Sequence, residues 1–230
     1  MKQHLLLLSG LLCDETVWGK IIPGLEHCAH VTPLDFRGLD AIEEMAKQVL
    51  RYAPDNFNLA GHSMGARVAL EVFKQAPARV QRLALLNTGV HPAKPAEKES
   101  RQVLLDLART QGMRAMSQRW LPPMVRPEHT VDPQVMEPLH RMVESMTPEI
   151  FAGQVHALLH RPDATAQLAN IRIPTLVGVG RHDCWSPVEQ HEFIVSHIAG
   201  AQLRIFENSG HMAPFEEASA VLEALLTWLQ

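Results

Sequence analysis

Short apolar runs alternate with longer amphipathic stretches along most of the chain. Six of the runs are rich in leucine, valine or isoleucine and are bounded by polar or turn residues, which predicts strands. They are HLLLLS (4–9), HVTPLDF (30–36), FNLAGHS (57–63), RLALLNT (82–88), TLVGVG (175–180) and QLRIFENS (202–209). Helical patterns cover roughly 15–25, 39–52, 64–76, 187–199 and 215–229. This alternation predicts an α/β fold, a mostly parallel sheet of about six strands with helices on both faces.

One connection interrupts the alternation. Residues 91–172 follow a helical pattern, are rich in methionine and contain many prolines. The prolines, at positions 92, 95, 122, 123, 127, 133, 138, 148 and 162, predict several short helices. A connection this long is usually functional, as a lid or a binding cap. The sequence therefore predicts a core of residues 1–90 and 173–230, with a helical cap inserted at 91–172.

Composition narrows the class of protein. The chain has 230 residues, 46% hydrophobic and 20% charged, with a net charge of −4 and a pI near 6.3. These values are typical of a globular protein and argue against a nucleic-acid partner or a membrane association. Three cysteines without a C-x-x-C spacing favour a reducing, cytoplasmic setting. His156 and His160 share a helix face but lack further ligands, so we expect no metal and no cofactor.

The opening MKQHLLLLSGLLC has two interpretations. A lysine, a leucine run and a cysteine are typical of an export signal with a lipid-attachment site. However, Leu11 and Leu12 precede Cys13 where a small residue is needed, and the positive region is Lys2 alone. The segment is better interpreted as a strand followed by a turn.

The segment GHSMG (61–65) carries the clearest chemical signal. It is a G-x-S-x-G sequence between a predicted strand and a predicted helix. A serine on such a sharp turn needs small neighbours, and its hydroxyl is exposed beside the amides at the helix start. The pattern predicts that Ser63 is a nucleophile and that the Met64 amide stabilises an oxyanion.

A serine nucleophile needs a base and an acid that orients the base. Asp183 and His211 each follow a predicted strand, so both belong at the carboxyl edge of the sheet, near Ser63. His182 is a less favoured base. Three aspartates of the predicted cap are less favoured acids, namely Asp106, Asp132 and Asp163. Cys184 is interpreted as a small buried residue.

The first strand and its glycine turn, LDFRG, GHSMG, G-R-x-D and SGHMAPFE occur in an order that resembles the α/β-hydrolase family. The resemblance covers nearly the whole chain and implies the Ser63–Asp183–His211 triad. It also implies that the Leu11 amide is the second oxyanion donor, with Leu12 as a less favoured alternative. The chain departs from the family with Ser9 in place of the usual histidine and with a shortened loop after LDFRG.

The expected substrate is a small molecule, and its contacts are expected from Leu12, Trp120, Met124 and Trp185. The cap methionines either line an apolar pocket or pack a core of their own: Met113, Met116, Met124, Met136, Met142 and Met146. We expect a serine hydrolase for a carboxylic ester or lactone with little net charge. Three other reactions stay open: thioester hydrolysis, C–C bond hydrolysis and a lyase reaction. The lyase alternative arises because GHSMGARVAL resembles the corresponding segment of SHCHC synthase. A ligand-sensing role without catalysis and the oligomeric state also stay open.

Overall fold

The computed structural model describes residues 2–230, so Met1 of the predicted core lies outside the described residues. Six parallel strands form one sheet in the order β2-β1-β3-β4-β5-β6. They are β1 (Gln3–Leu8), β2 (Ala29–Leu34), β3 (Phe57–His62), β4 (Val80–Leu86), β5 (Thr175–Gly180) and β6 (Gln202–Phe206). The predicted fold class is confirmed.

Nine α-helices surround the sheet in the described part of the chain. They are α1 (Ile22–Leu25), α2 (Ile42–Tyr52), α3 (Met64–Gln75), α4 (Pro95–Trp120), α5 (Pro133–Glu144), α6 (Pro148–Leu159), α7 (Val188–His197), α8 (Ala213–Glu216) and α9 (Ala218–Trp228). Helix α2 contacts α3, and α1 contacts α9. Since parallel crossovers are right-handed, these two pairs cover opposite faces of the sheet.

The leucine run near the start of the chain forms β1. Leu5, Leu6, Leu7 and Leu8 are all buried, because β1 lies between β2 and β3 and is covered on both faces. The structure therefore places this run in the centre of the fold, as the strand interpretation expected.

Two predicted helices are divided in the structure. The predicted helix over 15–25 is a 3₁₀ turn at Glu15–Trp18 followed by the short α1, and the predicted last helix is α8 followed by α9. The periodicity of apolar residues continues across both breaks because each piece packs against the same core.

Helices α4, α5 and α6 lie between β4 and β5, within what we call the helical insertion (residues 91–172). The prediction that prolines would break this segment is only partly correct. Pro95, Pro133 and Pro148 are the first residues of α4, α5 and α6, where the missing amide is not needed. Pro138 lies inside α5. Helix α4 is instead interrupted at Gly112, whose φ is 88°.

Between residues 2 and 230, no helix combines the length and the apolar character that a membrane crossing requires.

Candidate active site

Ser63 lies on the sharp turn between β3 and α3. Its backbone angles are φ 57° and ψ −116°, a conformation that costs about 1–3 kcal/mol for a residue other than glycine. The amide of Ser63 donates a hydrogen bond to the Leu86 carbonyl at 2.9 Å, which ties the turn to β4. The predicted strand 57–63 ends one residue early because Ser63 leaves the strand conformation at this turn.

The glycines that flank Ser63 are required by close backbone contacts. A Cβ at Gly65 would overlap the carbonyl oxygens of Leu8 and Ser9, and a Cβ at Gly61 would lie 2.5 Å from the Ala66 amide nitrogen. Gly65 therefore lets the turn pack against the end of β1, and Gly61 lets the start of α3 fold back over β3, which explains the G-x-S-x-G spacing.

Ser63, His211 and Asp183 form one chain of hydrogen bonds. The Nε2 atom of His211 lies 2.8 Å from Ser63 Oγ, and its Nδ1 atom lies 2.8 Å from Asp183 Oδ2. An ionised carboxylate only accepts hydrogen bonds, so Nδ1 carries the proton and Nε2 is free to accept the serine proton. The structure thus brings together three side chains that are far apart in the sequence, in the arrangement that proton transfer from serine requires.

The carboxylate of Asp183 is buried and fully hydrogen-bonded. Its Oδ1 atom accepts from the amides of Trp185 and Ser186, both at 2.9 Å. Its Oδ2 atom accepts from Ser186 Oγ at 2.9 Å and Asn87 Nδ2 at 3.0 Å. Burial alone would raise the pKa of Asp183, but the charge of His211 and these hydrogen bonds outweigh it and hold the pKa below its usual range. Asp183 therefore stays ionised and keeps His211 oriented.

Asn87 is a site residue that the sequence analysis missed. It lies in the predicted strand 82–88, but β4 ends at Leu86 and Asn87 has a φ of 51°. The turn directs its side-chain amide to Asp183 and also to the Gly210 carbonyl, at 3.2 Å. The sequence does carry a signal: asparagine tolerates a positive φ, and here it ends a strand on the catalytic edge.

His62 is a second residue whose role was missed. Its Nε2 atom donates to the backbone carbonyl of His211 at 2.8 Å. Burial, reinforced by the nearby His211, lowers the pKa of His62 to about 3, so the ring is neutral at physiological pH. His62 therefore supports the loop that carries His211 without adding a charge to the site.

Leu11 and Met64 line the same cavity as Ser63. Over residues 2–230, neither amide donates a hydrogen bond to another protein group. Met64 is the first residue of α3, where an amide has no acceptor within the helix and favours a negative charge. The positions predicted for the oxyanion donors are thus available to a ligand.

Leu12 occupies a different place from the one expected. Its side chain is buried away from the cavity, and its amide donates to Gln154 Oε1 at 2.8 Å. Leu12 is therefore neither a free oxyanion donor nor a cavity residue. Gln154 also donates from Nε2 to the Phe36 carbonyl at 3.3 Å, so this buried residue of α6 fastens the turn after β1.

Ser9 stabilises the same turn from within. Its hydroxyl donates to the Asp14 carbonyl at 3.1 Å, and its amide donates to the Leu34 carbonyl at 3.0 Å. The side chain that replaces the family's usual histidine is therefore used to close the loop between Ser9 and Asp14.

A cavity of about 580 Å³ opens beside Ser63 and His211. Of the residues predicted to contact substrate, Trp120, Met124 and Trp185 line this cavity. The other methionines of the helical insertion are buried in its own packing and do not line the cavity: Met113, Met116, Met136, Met142 and Met146. These five methionines therefore pack a core of the insertion and do not form an apolar pocket lining.

One expectation about the surroundings of the site was wrong. Cys184 is exposed and lines the cavity, where its thiol donates to the Pro123 carbonyl at 3.1 Å. One part of the cavity wall is also charged and carries Arg67, Arg101 and Arg161. Hydrophobic periodicity identified the methionines of the insertion but did not indicate which side chains turn toward Ser63.

The rival triad residues lie elsewhere. His182 is exposed and makes no hydrogen bond to Ser63, and Asp106, Asp132 and Asp163 are not among the cavity residues. Asp132 instead caps the start of α5, where it accepts from the Gln134 amide.

A family model described as "Serine aminopeptidase, S33" matches residues 26–218, which is most of the chain. The chain belongs to this α/β-hydrolase family. The hydrolase is 24% identical over 228 residues to the pimeloyl-[acyl-carrier protein] methyl ester esterase of Nitrosomonas europaea, covering 92% of this chain and 89% of the relative. It is 29% identical over 208 residues to the proline iminopeptidase of Saccharolobus solfataricus, which aligns with 82% of this chain but 66% of the relative, just under two thirds.

Among solved structures, the hydrolase is similar to a thermophilic esterase from Thermogutta terrifontis. The TM-score is 0.89 at 27% sequence identity, and the alignment covers 100% of this chain and 90% of the esterase. This esterase thus shares the whole fold of the chain.

Proposed function

We propose that this hydrolase cleaves a carboxylic ester or lactone through an acyl-enzyme. The hydrogen-bonded chain from Ser63 through His211 to Asp183, which ends at a cavity, carries this proposal. Ser63 attacks the carbonyl carbon while His211 accepts the serine proton, and Asp183 stabilises the resulting imidazolium. The amides of Leu11 and Met64 stabilise the negative charge on the carbonyl oxygen.

The second half of the reaction uses the same groups. His211 returns its proton to the leaving alcohol and then removes a proton from water, which attacks the acyl group on Ser63. Collapse of the second tetrahedral intermediate releases the carboxylic acid and restores Ser63. The proton transfers use Ser63, His211 and Asp183, which already lie within hydrogen-bonding distance of one another.

The charges of the cavity favour an ester over a peptide, whereas the relatives include both an iminopeptidase and an esterase. A substrate with a free amino terminus needs an unpaired carboxylate, but Glu97, the one acid among the described cavity residues, is already bound by Arg161. The Nitrosomonas europaea relative is an esterase, and so is the Thermogutta terrifontis protein. Thioester, C–C bond and lyase reactions use the same triad and are distinguished from ester hydrolysis by assay.

A fluorophosphonate probe and an ester panel test the proposal. The probe should form one covalent adduct on Ser63, and Ser63→Ala should lose about 10⁶-fold in kcat while it keeps the native circular dichroism spectrum. A matched change of a buried serine outside the triad, Ser117→Ala, should still react with the probe. A protein that hydrolyses no ester or lactone and forms no adduct would instead support the ligand-sensing alternative.

A further inference from the structure

A group of charged side chains lines the cavity near Ser63. Arg67 lies one turn after Ser63 on α3, so the two Cα atoms are about 6 Å apart along the helix axis. Glu97 and Arg101 lie on the first turns of α4, and Arg161 follows α6. All four residues line the same cavity as the catalytic serine.

Two members of this group already have full sets of partners. Arg161 forms a two-point ion pair with Glu97, with N–O distances of 2.8 and 2.7 Å. It also donates to the carbonyls of His91, Pro92 and Leu158 at 3.1, 3.2 and 2.8 Å. Arg161 and Glu97 thus tie the two ends of the helical insertion together and have little capacity left for a ligand.

Arg101 and Arg67 are different because their donors are mostly free. Arg101 is 8% exposed, its buried Nε atom has no partner in the described chain, and its one hydrogen bond is a long 3.5 Å contact with Glu97. Arg67 donates from Nη1 to the His91 carbonyl at 3.0 Å. A buried guanidinium nitrogen without a partner is unfavourable, so Arg101 calls for an acceptor. Arg67 is half-buried and offers its free donors to the same cavity.

The charges at this wall do not balance. Arg67, Arg101, Arg161 and Lys94 line the cavity, whereas Glu97 is the one carboxylate among its described lining residues. Burial and the nearby charge of Arg161 lower the pKa of Arg67 to about 9, and burial also lowers the pKa of Arg101. A guanidinium group keeps its charge in proteins near neutral pH, so this wall of the cavity carries an excess of positive charge.

We propose that Arg67 and Arg101 form a carboxylate-binding subsite, and that the substrate is an ester or lactone carrying a second, ionised carboxylate. This inference rests on the proposed hydrolysis at Ser63 and replaces the uncharged substrate expected from the sequence. The guanidinium groups offer paired N–H donors that match the two oxygens of a carboxylate, while the substrate carbonyl lies at Ser63. Trp120 and Met124 then contact the apolar part of the molecule between its two ends.

A competing explanation is that the arginines serve only to hold the insertion in place. The two explanations differ in what a substitution changes. A purely structural arginine would lower the activity toward all esters by a similar factor, whereas a subsite arginine selectively affects the anionic substrate.

The decisive measurement compares two esters of equal chain length, monomethyl adipate and methyl hexanoate. The native enzyme should prefer monomethyl adipate in kcat/KM. Arg101→Gln and Arg67→Gln should each reduce the ratio of the two kcat/KM values by about 10–100-fold, mainly through KM for the anion. Arg109→Gln, an exposed arginine on the same helix α4, is the matched control and should leave the ratio unchanged. Equal kcat/KM values for the two esters in the native enzyme would overturn the subsite, as would equal losses on both esters in the variants.

A binding measurement separates this proposal from the proposed function. Calorimetry should show that the Ser63→Ala variant binds monomethyl adipate more tightly than methyl hexanoate. This difference in Kd should disappear in the double variant that also carries Arg101→Gln. If no ester is hydrolysed but this binding difference is found, the carboxylate subsite stands and the ester hydrolase proposal fails. If both esters are hydrolysed without preference, the ester hydrolase proposal stands and the carboxylate subsite fails. Arg67→Gln, on a different helix, provides the same tests if Arg101→Gln does not fold.

Discussion

Gln154 of the helical insertion accepts a hydrogen bond from the backbone amide of Leu12 at 2.8 Å, across 142 residues of sequence. The neighbouring amide of Leu11 is a proposed oxyanion donor. The insertion therefore contributes to the geometry of the catalytic turn as well as to the wall of the cavity.

We predict that Gln154→Leu lowers kcat by about 10–100-fold with a smaller effect on KM, because the Leu11 amide loses its fixed position. The change also leaves the buried Leu12 amide unpaired and removes one of the two hydrogen bonds to the Phe36 carbonyl, which should cost about 1–3 kcal/mol in the free energy of unfolding. Steady-state kinetics and urea unfolding measure the two effects.

Two variants control this prediction. Gln154→Glu keeps an acceptor for the Leu12 amide and should retain more activity than Gln154→Leu. Gln134→Leu, an exposed glutamine of the same insertion, should behave like the native enzyme. If Gln154→Leu keeps the native kcat, the turn does not depend on the insertion.

Asn87 can be tested by a pair of substitutions that separate its side chain from its backbone. Asn87→Gly and Asn87→Ala both remove the hydrogen bond to Asp183, so both should lower kcat/KM by roughly 10-fold, about the loss of one hydrogen bond to a charged group. Asn87→Ala should also unfold more easily than Asn87→Gly, by about 1 kcal/mol, because its φ is positive. Native activity in Asn87→Gly would show that Asp183 is held adequately without it.

Gly65→Ala should destabilise the fold by about 1–3 kcal/mol or more, because the new methyl group overlaps the carbonyls of Leu8 and Ser9. Gly19→Ala is the matched control. A Cβ there lies 3.5 Å from the nearest atom, the Thr16 carbonyl oxygen, and the backbone is already helical. Thermal unfolding should show a large decrease in Tm for the first variant and almost none for the second. Equal Tm values would contradict the close packing of the turn.

His191 is expected to make stability depend on pH. Its ring accepts from the Thr88 amide at 2.9 Å, and burial lowers its pKa from 6.5 to about 4. Between these values the unfolded chain binds a proton that the folded chain does not, so the free energy of unfolding should fall as pH falls from about 6.5 to 4. His62, with its pKa lowered to about 3, acts in the same direction.

Urea unfolding across this pH range provides the measurement. His191→Gln can still accept from Thr88 but does not titrate, so its stability should decline less steeply with falling pH than that of the native protein. Parallel pH dependence in the two proteins would show that His191 does not contribute.

The sequence determined the sheet and the residues of the candidate triad because both leave local signals. Apolar runs such as Leu5–Leu8 identify buried strands, and the carboxyl ends of parallel strands meet at one edge. Ser63, Asp183 and His211 each follow such a strand, so their proximity could be predicted without knowledge of any contact.

Tertiary structure alone decided the contacts that surround those residues. Gln154 reaches Leu12 across 142 residues of sequence, and Arg67 and Arg101 from two different helices line one cavity, which periodicity does not specify. Hydrophobic pattern indicates that a helix packs, but the folded chain sets which of its side chains face a cavity. For that reason the sequence predicted a substrate with little net charge and a buried Cys184, whereas the folded chain places arginines at the cavity wall and leaves Cys184 exposed.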